Sequence, residues 1–213
     1  MPSRTYGRLH RPDSRDKQHM LRRFGAAPTR RKSQHWRLGP IMDQGNTSHC
    51  VGYSWYGWLT AEPLRQHPIL PSGIYTMSQY LDEWDGTDYD GTSVRGGAKA
   101  LTVTGHISEY QWAWTLDDAV QHVLDVSPLV IGVNWYAKMK DTDADGFIHV
   151  GGRLRGGHAV LLYGVNTRSG FASIRNSWGP DWGKRGNCRI SLEDFEKLLG
   201  EDGECCTAVE SRV

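Results

Sequence analysis

The chain has 213 residues, of which 38% are hydrophobic and 23% charged, with a formal net charge of +1. That length suits one domain or two small lobes with a shared core, and no apolar run approaches the roughly 20 residues a membrane-spanning helix needs. The near-zero charge averages two unlike pieces. Residues 1–37 carry 11 of the 25 Lys and Arg and only two acids, Asp13 and Asp16, a net of +9, which leaves −8 on residues 38–213. Four cysteines, Cys50, Cys188, Cys205 and Cys206, are too few for a disulfide scaffold and lack zinc-ligand spacing. Reduced thiols are expected, with a pairing of Cys188 to Cys205 or Cys206 as the open alternative.

In chain order, residues 1–37 read as a basic arm, extended or loosely docked, without sustained periodicity. The first helix starts near Cys50, with Val51, Ser54, Trp55, Trp58 and Leu59 at helical spacing, and Pro63 ends it. Residues 73–84 and 93–103 read as two further helices, and 116–125 as a short one with Thr115 as N-cap and Asp118 three residues on. The pattern then changes. Residues 127–135, 157–165, 171–178 and 186–190 are short, β-rich and bounded by glycines. Ser191 caps a final helix that Gly200 stops, and 205–210 closes as a strand. Helices first and strands later argue α+β, with a helical lobe over about 50–115, a strand lobe over about 116–213 and a cleft between them.

Three blocks hold the candidate chemistry. Cys50 follows the loop Asp43–His49 at a helix N-terminus, where unpaired N–H groups and the positive dipole end favour thiolate. His158 opens a strongly apolar strand between flanking glycines. Asn176 then precedes two Trp-Gly pairs at Trp178 and Trp182, so that its amide can bond an imidazole and Trp178 can keep water from it.

This Cys, His, Asn order resembles the papain-like cysteine peptidases, bacterial or phage type. DQGNTSHC (43–50) is similar to the family's glutamine–glycine loop leading to the nucleophile. GHAV (157–160) is similar to its histidine block, and NSWGPDWGKRG (176–186) to its asparagine block. Weaker similarity covers residues 89–101, GECC (203–206) and RPDSRD (11–16). The resemblance implies a two-lobe fold, an N-terminal helical lobe and a C-terminal antiparallel β-barrel-like lobe, with residues 38–213 forming the peptidase domain. It further implies that Cys50 is the nucleophile, His158 its base and then acid, and Asn176 the residue that orients the imidazole. Gln44 with the Cys50 N–H would form an oxyanion hole, Trp178 would support the pair, and Gly91, Thr92 and Gly157 would bind substrate backbone. No metal or organic cofactor is implied.

The chain departs from the family's pattern at Thr47, where many members have a disulfide cysteine, and at Val51 and His49 beside the nucleophile. His49 is open to two readings, a helix cap or a perturbant of the thiol. A polypeptide is the expected partner and nucleic acid is not, since residues 1–37 hold too few aromatics for a stacking platform. The basic arm is expected to dock on its own acidic body in a salt-dependent way, as a clamp or as an autoinhibitory segment. A cytoplasmic or virion-associated location is expected from the lack of a signal-peptide pattern and of disulfides. Competing functions are a peptidoglycan-cutting amidase or endopeptidase, and a catalytically idle scaffold of the same fold.

Overall fold

The computed structural model describes residues 5–21, 31–66 and 69–210. Residues 1–4 and 22–30 of the basic arm lie outside them. Helix α1 (Cys50–Thr60) buries Val51, Trp55, Trp58 and Leu59 along one face. Helix α2 (Pro71–Leu81) begins two residues before the sequence reading and ends three before it. Pro71 sits in its first turn, where a missing N–H costs nothing. Asp82 leaves the helix in an extended conformation, and its carboxylate accepts from Tyr89 Oη and Thr92 Oγ1, both at 2.6 Å. Helix α3 (Val94–Val103) is capped by Ser93, which accepts from the Gly96 N–H. Helix α4 (Leu116–Asp125) and helix α5 (Leu192–Gly200) carry the caps read from the sequence, Thr115 and Ser191. None of these helices is long and apolar enough to cross a membrane.

Seven of the strands among the described residues form one large antiparallel sheet. Its order is β4 (Ile107–Ala113), β9 (Glu204–Glu210), β5 (Leu129–Tyr136), β6 (Leu154–Asn166), β7 (Phe171–Arg175) and β8 (Asn187–Ser191), with β2 (Ser33–His35) paired to the end of β6. Among the described residues this sheet stays open, so the strand lobe is an open sheet and not a closed barrel. Strand β4, absent from the sequence reading, pairs along β9 from Ile107↔Glu210 to Ala113↔Cys205, so the sheet reaches back into the stretch read as helical lobe.

Both faces of the sheet are covered, which is why its central strands are apolar without a polar alternation. Val130, Ala159, Leu161 and Cys206 face α1 and α3, while Leu129, Ile131, Val133, Val160, Leu162 and Cys205 pack in the other core with α4 and α5. The period of two puts the neighbours Cys205 and Cys206 on opposite faces of β9. All four cysteines are buried and free, so the alternative pairing of Cys188 is not formed.

The described parts of the basic arm run across the body with defined structure. Strand β1 (Arg8–Leu9) pairs in parallel with β3 (Thr92–Ser93). A 3₁₀ helix at Ser14–His19, capped by Asp13, packs on β4. Further along, Trp36 Nε1 donates to the Val123 carbonyl at 2.8 Å.

Candidate active site

Three elements bring the site together. Cys50 is the first residue of α1, at the positive end of the helix dipole. β6 carries His158, and Asn176 follows β7 directly. The Cys50 Sγ accepts from the Ala159 N–H at 3.5 Å, which puts the sulfur against the peptide group that follows His158. His158 Nε2 lies 2.9 Å from Asn176 Oδ1. The same oxygen accepts from the Ser177 N–H at 2.8 Å, and a peptide nitrogen can only donate there. That atom is therefore the amide oxygen, and the imidazole proton sits on Nε2. Nδ1 is buried without a hydrogen-bond partner among the described residues. Trp178 stacks on the imidazole at 4.9 Å and Trp135 meets it edge-on at 4.9 Å, so His158 is walled from water as the sequence suggested for Trp178.

Gln44 is buried between one hydrogen-bond donor and two acceptors. Its Oε1 accepts from Ser177 Oγ at 2.6 Å, and its Nε2 donates to the Thr47 carbonyl at 2.6 Å and to the Thr5 carbonyl at 3.3 Å. Thr47, in place of a cysteine, closes this turn through its Oγ1 on the Gln44 carbonyl. His49 makes no side-chain cap bond, so the capping reading fails. Its ring stacks on Tyr75 at 3.9 Å instead.

The cleft in front of these groups is occupied by the chain's own arm. Tyr6 sets its ring edge against His158 at 5.8 Å and Trp178 at 6.0 Å. The Gly7 N–H points to Cys50 Sγ, and the Gly7 carbonyl accepts from the Thr92 N–H at 2.9 Å. A Cβ on Gly7 would stand 1.9 Å from the Ser48 carbonyl oxygen, so only glycine passes here. Gly91, Thr92 and Gly157, singled out for substrate backbone, all touch this segment, Gly157 lying against the Arg8 backbone. The Gly91 N–H itself is held by Tyr75 Oη at 2.9 Å.

Two buried ion pairs anchor the arm. Arg8 Nε meets Glu204 Oε1 at 3.2 Å, with side chains 2% and 12% exposed. Asp16 pairs with Arg95, which also holds Glu83 at 3.0 Å. The first joins a basic arm to an acidic body as the charge split suggested; the second has the opposite sense.

Enclosure sets the charge state. Burial pushes the Cys50 thiol up to about 11, against the pull of the N–H groups of Ala159, Gly7 and Val51. Burial also pushes His158 down to about 4, against the Asn176 bond. Both shifts favour the uncharged thiol and the uncharged imidazole while the arm encloses them. Sequence reasoning missed Ser177, Tyr6, Arg8 and Glu204. The signal for Ser177 lay beside Asn176; the others are brought in by pairings distant in sequence.

A family model described as papain family cysteine protease matches residues 70–207. His158, Asn176 and Glu204 lie within that stretch, and Gln44 and Cys50 lie before it. Over 152 residues the chain is 30% identical to a cathepsin B-like cysteine proteinase 3 of Ostertagia ostertagi, covering 63% of this chain and 87% of that one. It is 37% identical over 76 residues to cathepsin B-like cysteine proteinase 6 of Caenorhabditis elegans, 34% of this chain and only 20% of the relative's length. The fold is similar to that of xylellain, a cysteine protease from Xylella fastidiosa, with a TM-score of 0.76 at 19% identity over 100% of this chain and 99% of the other.

Proposed function

With the chain belonging to the papain family of cysteine proteases, we propose that it hydrolyses peptide bonds through Cys50 and is held latent by its own arm. The observation that carries this reading is the peptide lying across the sulfur. Residues 5–8 present a backbone carbonyl to Gln44 Nε2 and another to the Thr92 N–H, as an extended polypeptide substrate would. The buried pair behind them consists of a thiol and an imidazole whose Nδ1 is bare.

The chemistry begins when the arm leaves. Water then reaches the pair, and the Cys50 proton moves to His158 Nδ1, giving a thiolate at the helix N-terminus and an imidazolium. Asn176 Oδ1 accepts from Nε2–H throughout and fixes the ring plane. The thiolate attacks the substrate carbonyl carbon, and negative charge grows on the carbonyl oxygen. The Gln44 amide and the Cys50 N–H stabilise that oxygen, a contribution of about 10²–10³ in rate per donor. Ser177 keeps the Gln44 amide facing the right way by donating to Oε1. His158 passes its proton to the leaving amine, and a thioester on Cys50 remains. A water then gives a proton to His158 and its hydroxyl to the thioester carbonyl, releasing the acid and the thiol.

The test is labelling of Cys50 by an epoxide thiol inhibitor at neutral pH, in the full chain and in Gly7→Val, which cannot seat the arm. The reading expects slow labelling of the first and fast labelling of the second. An idle scaffold would label slowly in both. A peptidoglycan-cutting amidase would label fast in Gly7→Val but release fragments from purified cell wall and none from casein.

A further inference from the structure

Strand β3 has little sheet to hold it in place. It is two residues long, and its strand neighbour among the described residues is β1 of the arm. When the arm leaves, that neighbour leaves with it. Gly91, the residue before β3, sits at φ +103°, a conformation open to glycine at little cost. What remains is a brace from α2. Tyr75 and Gln79 are four positions apart, so both lie on the face of that helix that meets residues 89–92. Tyr75 Oη accepts from the Gly91 N–H at 2.9 Å. Gln79 Nε2 donates to the Gly91 carbonyl at 3.3 Å and to the Tyr89 carbonyl at 2.8 Å. The peptide groups on both sides of Gly91 are thus tied. In a trans peptide the carbonyl and the N–H point in opposite directions. Holding the Gly91 carbonyl from behind therefore turns the Thr92 N–H forward, where it donates to the Gly7 carbonyl at 2.9 Å.

Tyr75 also joins this edge to the helix that carries the nucleophile. It is buried, and its ring stacks at 3.9 Å on His49, the residue before Cys50. Its backbone lies against α1, where a Cβ on Gly52 would stand 3.0 Å from the Tyr75 nitrogen. We infer that Tyr75 is a positioning residue for the polypeptide substrate: with Gln79 beside it, its hydroxyl keeps the Thr92 N–H aimed at a substrate carbonyl once the arm has left. The Gly7 carbonyl marks the place that this carbonyl takes. His49, which does not cap α1, gains a role as the backing of the Tyr75 ring. The inference rests on the peptidase reading for its substrate, while the brace itself rests on the bonds between α2 and residues 89–92.

The experiment has two readouts on the full-length Gly7→Val chain, with and without Tyr75→Phe, which keeps the ring on His49 and removes only the acceptor. In the first, the free hexapeptide TYGRLH, the sequence of residues 5–10, protects Cys50 from alkylation. Its half-protecting concentration is compared with that of the same peptide carrying a thioamide for the glycine carbonyl, a weaker hydrogen-bond acceptor. The inference expects a rise of about threefold or more on the parent chain, and almost none in Tyr75→Phe, where the Thr92 N–H is no longer aimed. Equal rises on the two chains, or none on either, overturn it. Gln79→Met, which removes the second tie, is read in the same way and decides if Tyr75→Phe does not fold. The second readout is steady-state cleavage of one peptide substrate. The inference expects Tyr75→Phe to raise KM by about threefold to tenfold at unchanged kcat. A fall in kcat at unchanged KM overturns it, because that is what a smaller folded fraction produces. No cleavage by the parent chain, with the thioamide effect present there and lost in Tyr75→Phe, counts against the peptidase reading and leaves the brace standing.

Discussion

The backbone of Gly7 runs so close to Ser48 that a single added Cβ would come within 1.9 Å of the Ser48 carbonyl oxygen. Ser48 lies two residues before Cys50, so this contact is what lets the arm lie flat across the sulfur. Gly7→Ala should therefore unseat residues 5–9 while leaving the two cores untouched. Alkylation of Cys50 by iodoacetamide at pH 7 is expected to accelerate at least tenfold, read by intact mass. An unchanged rate would mean that the arm does not govern access.

The enclosed pair makes docking pH-dependent. His158 titrates near 4 when buried, against an ordinary 6.5, so the undocked state binds the extra proton first. Docking strength is full above about 6.5 and weakens as pH falls toward 4, by at most about 3 kcal/mol at 1.36 kcal/mol per unit, because Trp135 and Trp178 enclose the ring as well as the arm. Hydrogen exchange of the Thr92 amide, which donates to the Gly7 carbonyl, should thus slow, after correction for intrinsic rates, as pH rises from 4 to about 6.5. Protection that is flat from pH 4 to 8 would contradict the buried neutral imidazole.

The ion pair of Asp16 with Arg95 is enclosed, with side chains 8% and 5% exposed. Breaking such a pair costs about 3–5 kcal/mol, and salt screens it far less than a surface pair. Glu83 stays on Arg95, so Asp16→Asn is expected at the low end, about 3 kcal/mol. Exchange at residues 14–21 should rise strongly in that variant and only slightly in 0.5 M salt. This revises the expectation from net charge, which placed the attraction in a diffuse basic arm on an acidic body.

Ser177 and Gln44 separate positioning from direct stabilisation. Under the proposed mechanism Gln44→Ala removes a donor from the developing oxyanion, so kcat should fall by about 10²–10³. Ser177→Ala removes only the bond that orients the Gln44 amide, worth about 1 kcal/mol, so kcat should fall by about fivefold to tenfold with KM little changed. Equal losses in the two variants would show that Ser177 does more than orient.

Much of this site is legible in local sequence. Cys50 at the start of an apolar helix, His158 at the head of β6 and Asn176 before the Trp-Gly pairs each announce themselves within a few residues. Their meeting is what the resemblance of the three blocks to the papain-like peptidases implies. The caps Thr115 and Ser191 are equally local and stand where the sequence puts them. Strand β4 was hidden because its exposure does not alternate cleanly and its register shifts between Ile107 and Glu109. The ion pair of Arg8 with Glu204 was hidden for a different reason. Arg8 and Glu204 are 196 positions apart, and nothing local to either residue says that the other is its partner. The same holds for β1 on β3, where two residues of a basic, aperiodic segment pair with a strand more than 80 positions away.

The most direct test of the account is hydrolysis of a peptide library by the full-length Gly7→Val chain beside the Gly7→Val, Cys50→Ala double variant, both at pH 7. The account predicts cleavage by the first and none by the second. Cleavage by both, or by neither while Cys50 of the first is freely alkylated, would contradict it.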